Sequence, residues 1–315
     1  MKSFVFTLAT VLLTACISAP TSFDQYQESI QSFQQATDQT AKVVTAYISD
    51  LNEFERRVEL DSLRASPTRQ LDMSGKLLAD RFDPKAIEIR IRVFAVLKQY
   101  TSLLAALAGS DSPDRWSKAA KNLGTSAAAL LGTLNQNADA VGPLTTIINL
   151  AGREWINATR SAALDTTFLG AESAIQDLSD LLKDDLQTVI SQRITIVDEP
   201  LIDLAGAYDG LWCPPPKNTN PDHEKCIADG KRERQRLAVL DQIEAALAKR
   251  SQTLITLEGL EQALDGFDSA HQALVEYGQS EKGPQDLNDL IVVIDRYRAA
   301  ADSVSLSFKS IKSEQ

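Results

Sequence analysis

From Phe23 onward, apolar side chains recur in alternating steps of three and four: Phe23, Tyr26, Ile30, Phe33, then Val44, Tyr47, Leu51, Phe54 and Val58. Thr37 and Thr40 fill the two middle positions. A seam of this period lies along one side of an α-helix but would scatter over both faces of a strand, so it commits the segment to helix and its apolar side to a partner. Gln, Asp and Ser occupy the other faces, and the pattern predicts one helix from about Ser22 to Arg64, roughly 60 Å long at 1.5 Å per residue. Ser66-Pro67 ends it.

The last segment repeats the signature through Leu287, Leu290, Ile294, Tyr297, Ala301, Val304, Phe308 and Ile311. Pro284 stands just after Gly283, in the first turn, where a missing N–H costs nothing. Two terminal helices with matching seams are expected to pack together, or to flank the same groove, within one bundle.

Further helices are expected between them. Asp83-Pro84 opens one that runs to about Ala108 and is apolar over most of its circumference, the mark of a helix with several neighbours. Others are predicted from Pro113 to about Ala140, from Pro143 to about Phe168, and from Ala171 to about Val197, with a break or kink at Gly142-Pro143 and an interruption at Pro200. A long helix from about Gly230 to Tyr277 carries Leu240, Ile243, Leu247, Leu254, Leu257, Leu260, Leu264, Phe267 and Leu274. One stretch dissents: Ile87 to Val93 alternates at period two and Ile194 to Val197 is β-branched, so the two could pair as a small sheet. The cap at Asp83-Pro84 and the Leu/Ala continuation favour helix. Gly 14 and Pro 11 are sparse for 315 residues, which also favours long helices. The fold expected is therefore all-α: an elongated bundle of about six to eight helices, forming a single domain over residues 23–315.

The first sixteen residues follow a different logic. Met1-Lys2-Ser3 gives a basic start, Phe4 to Leu13 is apolar, and Leu13-Thr14-Ala15-Cys16 closes the segment. This is a secretory signal, too short for the ~20 apolar residues that span a bilayer. Leu-x-Ala before a Cys resembles the lipobox of bacterial lipoproteins. The resemblance covers residues 1–16 only. It implies removal of residues 1–15, diacylglycerol on the Cys16 thiol, acylation of the new N-terminus, and a protein anchored in membrane outside the cytoplasm. Ile17 in place of Asp implies the outer membrane. Two or more acyl chains hold a membrane stably. Ile17 to Ser22 reach at most ~20 Å, so the first helix would start near the bilayer surface.

With Cys16 lipidated, Cys213 and Cys226 remain as an even pair in an oxidising compartment, which reads as a disulfide. Four prolines between them forbid a continuous helix, so the pair would close a Pro-rich loop. A metal site of Cys213, His223 and Cys226 with Asp222 or Glu224 is the rival, but the ligands lack the close-set pairs of structural zinc sites. Of the two histidines, His271 falls on the apolar seam of its helix and reads as a core residue.

Net charge −11 argues against nucleic acid as partner. Lys231-Arg232-Glu233-Arg234-Gln235-Arg236 is the one basic cluster, suited to a solvated face, lipid head groups or an acidic partner. Asn122 to Gly152 carries a single charge, Asp139, and reads as an apolar helical hairpin. No nucleophile, phosphate-binding or zinc-protease motif is present. The functional expectation is a non-enzymatic scaffold or protein-binding module that acts through helix faces, with a protein partner or a second copy, and with no catalytic residues, metal, cofactor or small-molecule substrate. The alternative is an accessory or effector protein that inserts residues 122–152 into membrane.

Overall fold

A computed structural model of the chain describes residues 22–65, 80, 82–110, 112–134, 138–152, 160–211 and 230–313. These residues form eight α-helices and no strand: α1 (Ser22–Ser49), α2 (Leu51–Ala65), α3 (Pro84–Gly109), α4 (Pro113–Thr133), α5 (Ala138–Ala151), α6 (Arg160–Gly210), α7 (Gly230–Gln279) and α8 (Pro284–Ser313). The molecule is an all-α helical bundle. At 51 and 50 residues, α6 and α7 are each roughly 75 Å long, which makes it elongated.

The terminal seams meet as expected. Gln39 donates to the Ala301 carbonyl (3.1 Å), and the Phe33 and Tyr297 rings lie 5.8 Å apart. Tyr47 and Phe308 meet further along, so α1 and α8 run parallel. Thr37 and Thr40, the polar interruption in the first seam, accept from the buried Tyr297 hydroxyl at 3.3 and 3.4 Å. A paired polar layer inside an apolar seam fixes register. Tyr26 meets Tyr277 and Phe33 meets Phe267, so α7 runs antiparallel to α1. Arg160 lies over Phe23 and Arg193 over Tyr47, so α6 runs parallel to it. The buried side chains of all eight helices form one continuous apolar cluster.

Local chemistry explains the helix starts and several departures from expectation. Asp83 accepts from the Lys85 N–H (3.0 Å) and opens α3. The Ile87–Val93 alternation is helical: Arg90, among the half-buried isoleucines, pairs with Asp185 of α6. Ile194–Val197 lies inside α6. The predicted Ser22–Arg64 helix is two helices. Ser49 Oγ bonds back to the Thr45 carbonyl (2.7 Å), a contact that bends helices, and the Asp50 carbonyl accepts the first bond of α2 from Phe54 (2.8 Å). The seam survives the break, since Leu51, Phe54 and Val58 stay buried.

Neither Pro143 nor Pro200 divides a helix. Pro143 lies within α5, where Leu144, Ile147 and Leu150 are buried, and α4 ends before it, at Thr133. The next helix begins at Arg160, not at Pro143. Pro200 is buried inside α6. An interior proline costs ~3 kcal/mol, which packing of Val197, Pro200 and Leu204 on one side of α6 offsets.

Candidate functional site: the open end of the bundle

Cys16, Cys213, Cys226 and His223 lie outside the described residues. Among the described residues no three His, Cys, Asp or Glu side chains gather as a metal set. His271 is a core residue. Its Nε2 and the Tyr100 hydroxyl are 2.8 Å apart, it stacks on Phe267, and burial pushes its pKa down to about 4. The imidazole is neutral and held by one hydroxyl, with no carboxylate to orient it for acid–base work.

The 122–152 segment forms the second half of α4 and all of α5. These helices pack on each other and against α3 and α6 through Leu123, Ala127, Leu130, Leu144, Ile147 and Leu150. Among the described residues one helix, α3, is long and apolar enough to cross a membrane, and 56% of its most apolar window is buried, as in a core helix.

The surface that remains unfilled is at the other end. All twelve buried residues of α7 lie between Thr253 and Tyr277. From Gly230 to Gln252 no residue is buried. The C-terminal part of α6 and this half of α7 form a two-helix arm, with Leu237 (49% exposed), Leu240 (39%), Leu247 (50%) and Ile202 (70%) open to solvent. Leu240 and Leu247 belong to the apolar pattern of the helix yet lie outside the core. The half-buried face of the arm is instead Arg232, Arg236, Val239, Ile243, Ala246 and Arg250.

Hydrogen bonds to α6 select this face. Arg232 donates to the Leu211 and Gly210 carbonyls (3.2 and 3.0 Å), capping the C-terminus of α6. Arg236 reaches the Tyr208 hydroxyl (3.3 Å) and pairs with Glu233, and Arg250 pairs with Asp198 (2.5 Å). Turning the leucines inward would strip α6 of these donors. Arg232 and Arg236 are thus spent on intramolecular bonds, and the reading of the whole cluster as a solvated face holds only in part.

A groove of about 370 Å³ opens where α2 meets the arm, lined by Val58, Val197, Pro200, Leu204, Ala245 and Ala246. Asp61, Arg64 and Lys249 stand at its edge, the carboxylate 2.7 Å from Arg64 and 3.5 Å from Lys249. A second hollow of about 680 Å³ adjoins it, sharing these three charges and reaching Phe54. Behind Phe54 lies Arg193, 3% exposed, its guanidinium 3.5 Å from the Phe54 ring centre and 4.4 Å from that of Tyr47. Nε and Nη1 have no hydrogen-bond partner among the described residues, and burial pulls its pKa down. The two rings supply the attraction that hydrogen bonds do not.

Among the described residues at this end, no acid, base and nucleophile converge. The end offers exposed leucines, small residues that let another chain approach closely, and charges already paired within the molecule. Such a surface suits docking. Comparisons with family models, with curated proteins and with solved structures find no match.

Proposed function

We propose that the chain is a lipid-anchored cell-envelope protein without catalytic activity, a scaffold or binding module that meets another protein through helix faces. The observation that carries this reading is polarity. α1 begins at the end sealed by Phe23, Tyr26, Tyr277 and Arg160, six residues beyond Cys16. α6 runs parallel to α1, so the arm ends roughly 75 Å from that point. A lipid on Cys16 would make the sealed end the foot and hold the arm and groove clear of the bilayer. The outer membrane is the proposed address, through Ile17.

Metabolic labelling with a fatty-acid analogue, followed by membrane fractionation, tests the anchor. The wild type should be labelled and sediment with membranes, whereas Cys16→Ala should be unlabelled and soluble; an unlabelled wild type sinks the reading. Crosslinking of the anchored chain tests the module, with arm residues expected among the crosslinked positions. The insertion alternative for residues 122–152 has less support, because the buried leucines of α4 and α5 face α3 and α6. Liposome leakage by the purified chain would revive it.

A further inference from the structure

The groove between α2 and the arm suits an occupant thinner than a polypeptide. Its volume is about 370 Å³, and apart from Gln242 and the charges at its edge the walls are aliphatic: Val58 of α2, Val197, Pro200 and Leu204 of α6, Ala245 and Ala246 of α7. A helix about 10 Å across would fill that volume in less than one turn of about 5.4 Å. An extended peptide would bring an N–H and a C=O at every residue, and among the described residues these walls offer them only the Gln242 amide. Backbone groups buried without partners are costly. A hydrocarbon chain needs no partners. A methylene is close to a water molecule in size, ~30 Å³ in the liquid, so the groove holds a chain of about twelve.

The charges stand where the groove passes into the larger hollow. There one carboxylate, Asp61, serves two cations, Arg64 at 2.7 Å and Lys249 at 3.5 Å. Both cations keep N–H donors that Asp61 does not use. Arg57, which also lines the hollow, is taken up by Asp50 (2.8 Å) and Glu53 (3.8 Å). Behind Phe54, Arg193 adds a buried positive charge whose Nε and Nη1 have no hydrogen-bond partner among the described residues. A buried charge is weakly screened, so its field reaches the hollow. Positive charge is therefore in excess at this edge, in a chain whose net charge is −11. We propose that the groove binds the hydrocarbon chain of a fatty acid and that the carboxylate of that ligand accepts from Arg64 and Lys249. This goes beyond the protein-binding reading and does not rest on it.

Titration calorimetry of the full chain carrying Cys16→Ala tests the site, with dodecanoate as the probe, in buffer free of detergent and below micelle formation. One saturable site per chain is expected. Ala245→Trp fills the groove from an exposed position, and Arg64→Gln with Lys249→Gln removes the cations. Each change should weaken dodecanoate binding at least tenfold while the helical circular dichroism stays at the wild-type value. Dodecyltrimethylammonium, the same chain length with a cationic head, should bind the unaltered groove at least tenfold more weakly than dodecanoate. Absence of saturable binding, unchanged affinity in either variant, or a cationic amphiphile that binds as well overturns the proposal. So does a photo-crosslinking amino acid at position 245 that captures another protein which dodecanoate does not displace, since the groove would then belong to the protein interface. Cys16 labelling is read separately, so failure of dodecanoate to bind leaves the anchor reading standing.

Discussion

Along α7 the chain changes character at Thr253. Beyond it, Leu257, Leu260, Leu264, Phe267, His271 and Leu274 are buried; before it, Leu237, Leu240 and Leu247 face solvent. The leucine content of the two halves is similar, and their neighbours differ. α8 runs antiparallel to α7, and its last turns reach Gln252, which donates to the Ser307 carbonyl (3.1 Å) and the Ser310 hydroxyl (2.6 Å). There α8 ends, and from Ser251 back to Gly230 only α6 and the edge of α2 remain alongside among the described residues. Burial here follows from where the neighbouring helix stops, and the amphipathic pattern does not set it.

The contrast can be broken at several points. Phe267→Ala removes a ring packed against Phe33, Tyr297 and His271 and should cost about 3–5 kcal/mol in chemical denaturation. The buried His271 gives a pH signature. The folded pKa is about 4 against 6.5 for an ordinary histidine, so the unfolded chain takes up a proton first as pH falls. The contribution is complete above 6.5, declines between 6.5 and 4, and totals about 3 kcal/mol. The difference in stability between wild type and His271→Leu should follow this slope; a difference that stays constant with pH would show that the imidazole is not buried neutral.

Gly266→Ala would place a methyl 2.9 Å from Tyr297 Cδ2 and 3.2 Å from its Cα, and should cost about 1–3 kcal/mol. Arg193→Met exchanges a desolvated cation for an apolar chain between two rings, and stability should stay within about 1 kcal/mol of wild type. In the arm, Leu240→Gln should change stability by less than about 0.5 kcal/mol. A large loss there would mean that the arm is covered.

The sequence was informative where a single physical cause decides the outcome. Periodicity placed the terminal helices and their mutual packing, and Asp83-Pro84 and Pro284 marked helix starts. It misled where two causes compete. Pro143 and Pro200 carry the usual sign of a break, yet burial of their neighbours keeps α5 and α6 continuous. α7 offers two stripes, one of leucines and one of arginines with Val239 and Ile243. The choice between them lay with the carbonyl ends of α6, Tyr208 and Asp198, which no pattern local to α7 reveals. For the same reason the open end was not foreseen: it depends on where α8 stops relative to α6 and α7. Cys16, Cys213 and Cys226 were legible as chemistry and fall outside the described residues.

Hydrogen exchange of the native chain, resolved along α7 by mass spectrometry, tests the two-ended account most directly. Amides from about Leu257 to Leu274 should exchange only with global unfolding, and those from about Lys231 to Ala248 should exchange through local opening, orders of magnitude faster. Uniform slow exchange along the whole of α7 would contradict an open arm at the end of a sealed bundle.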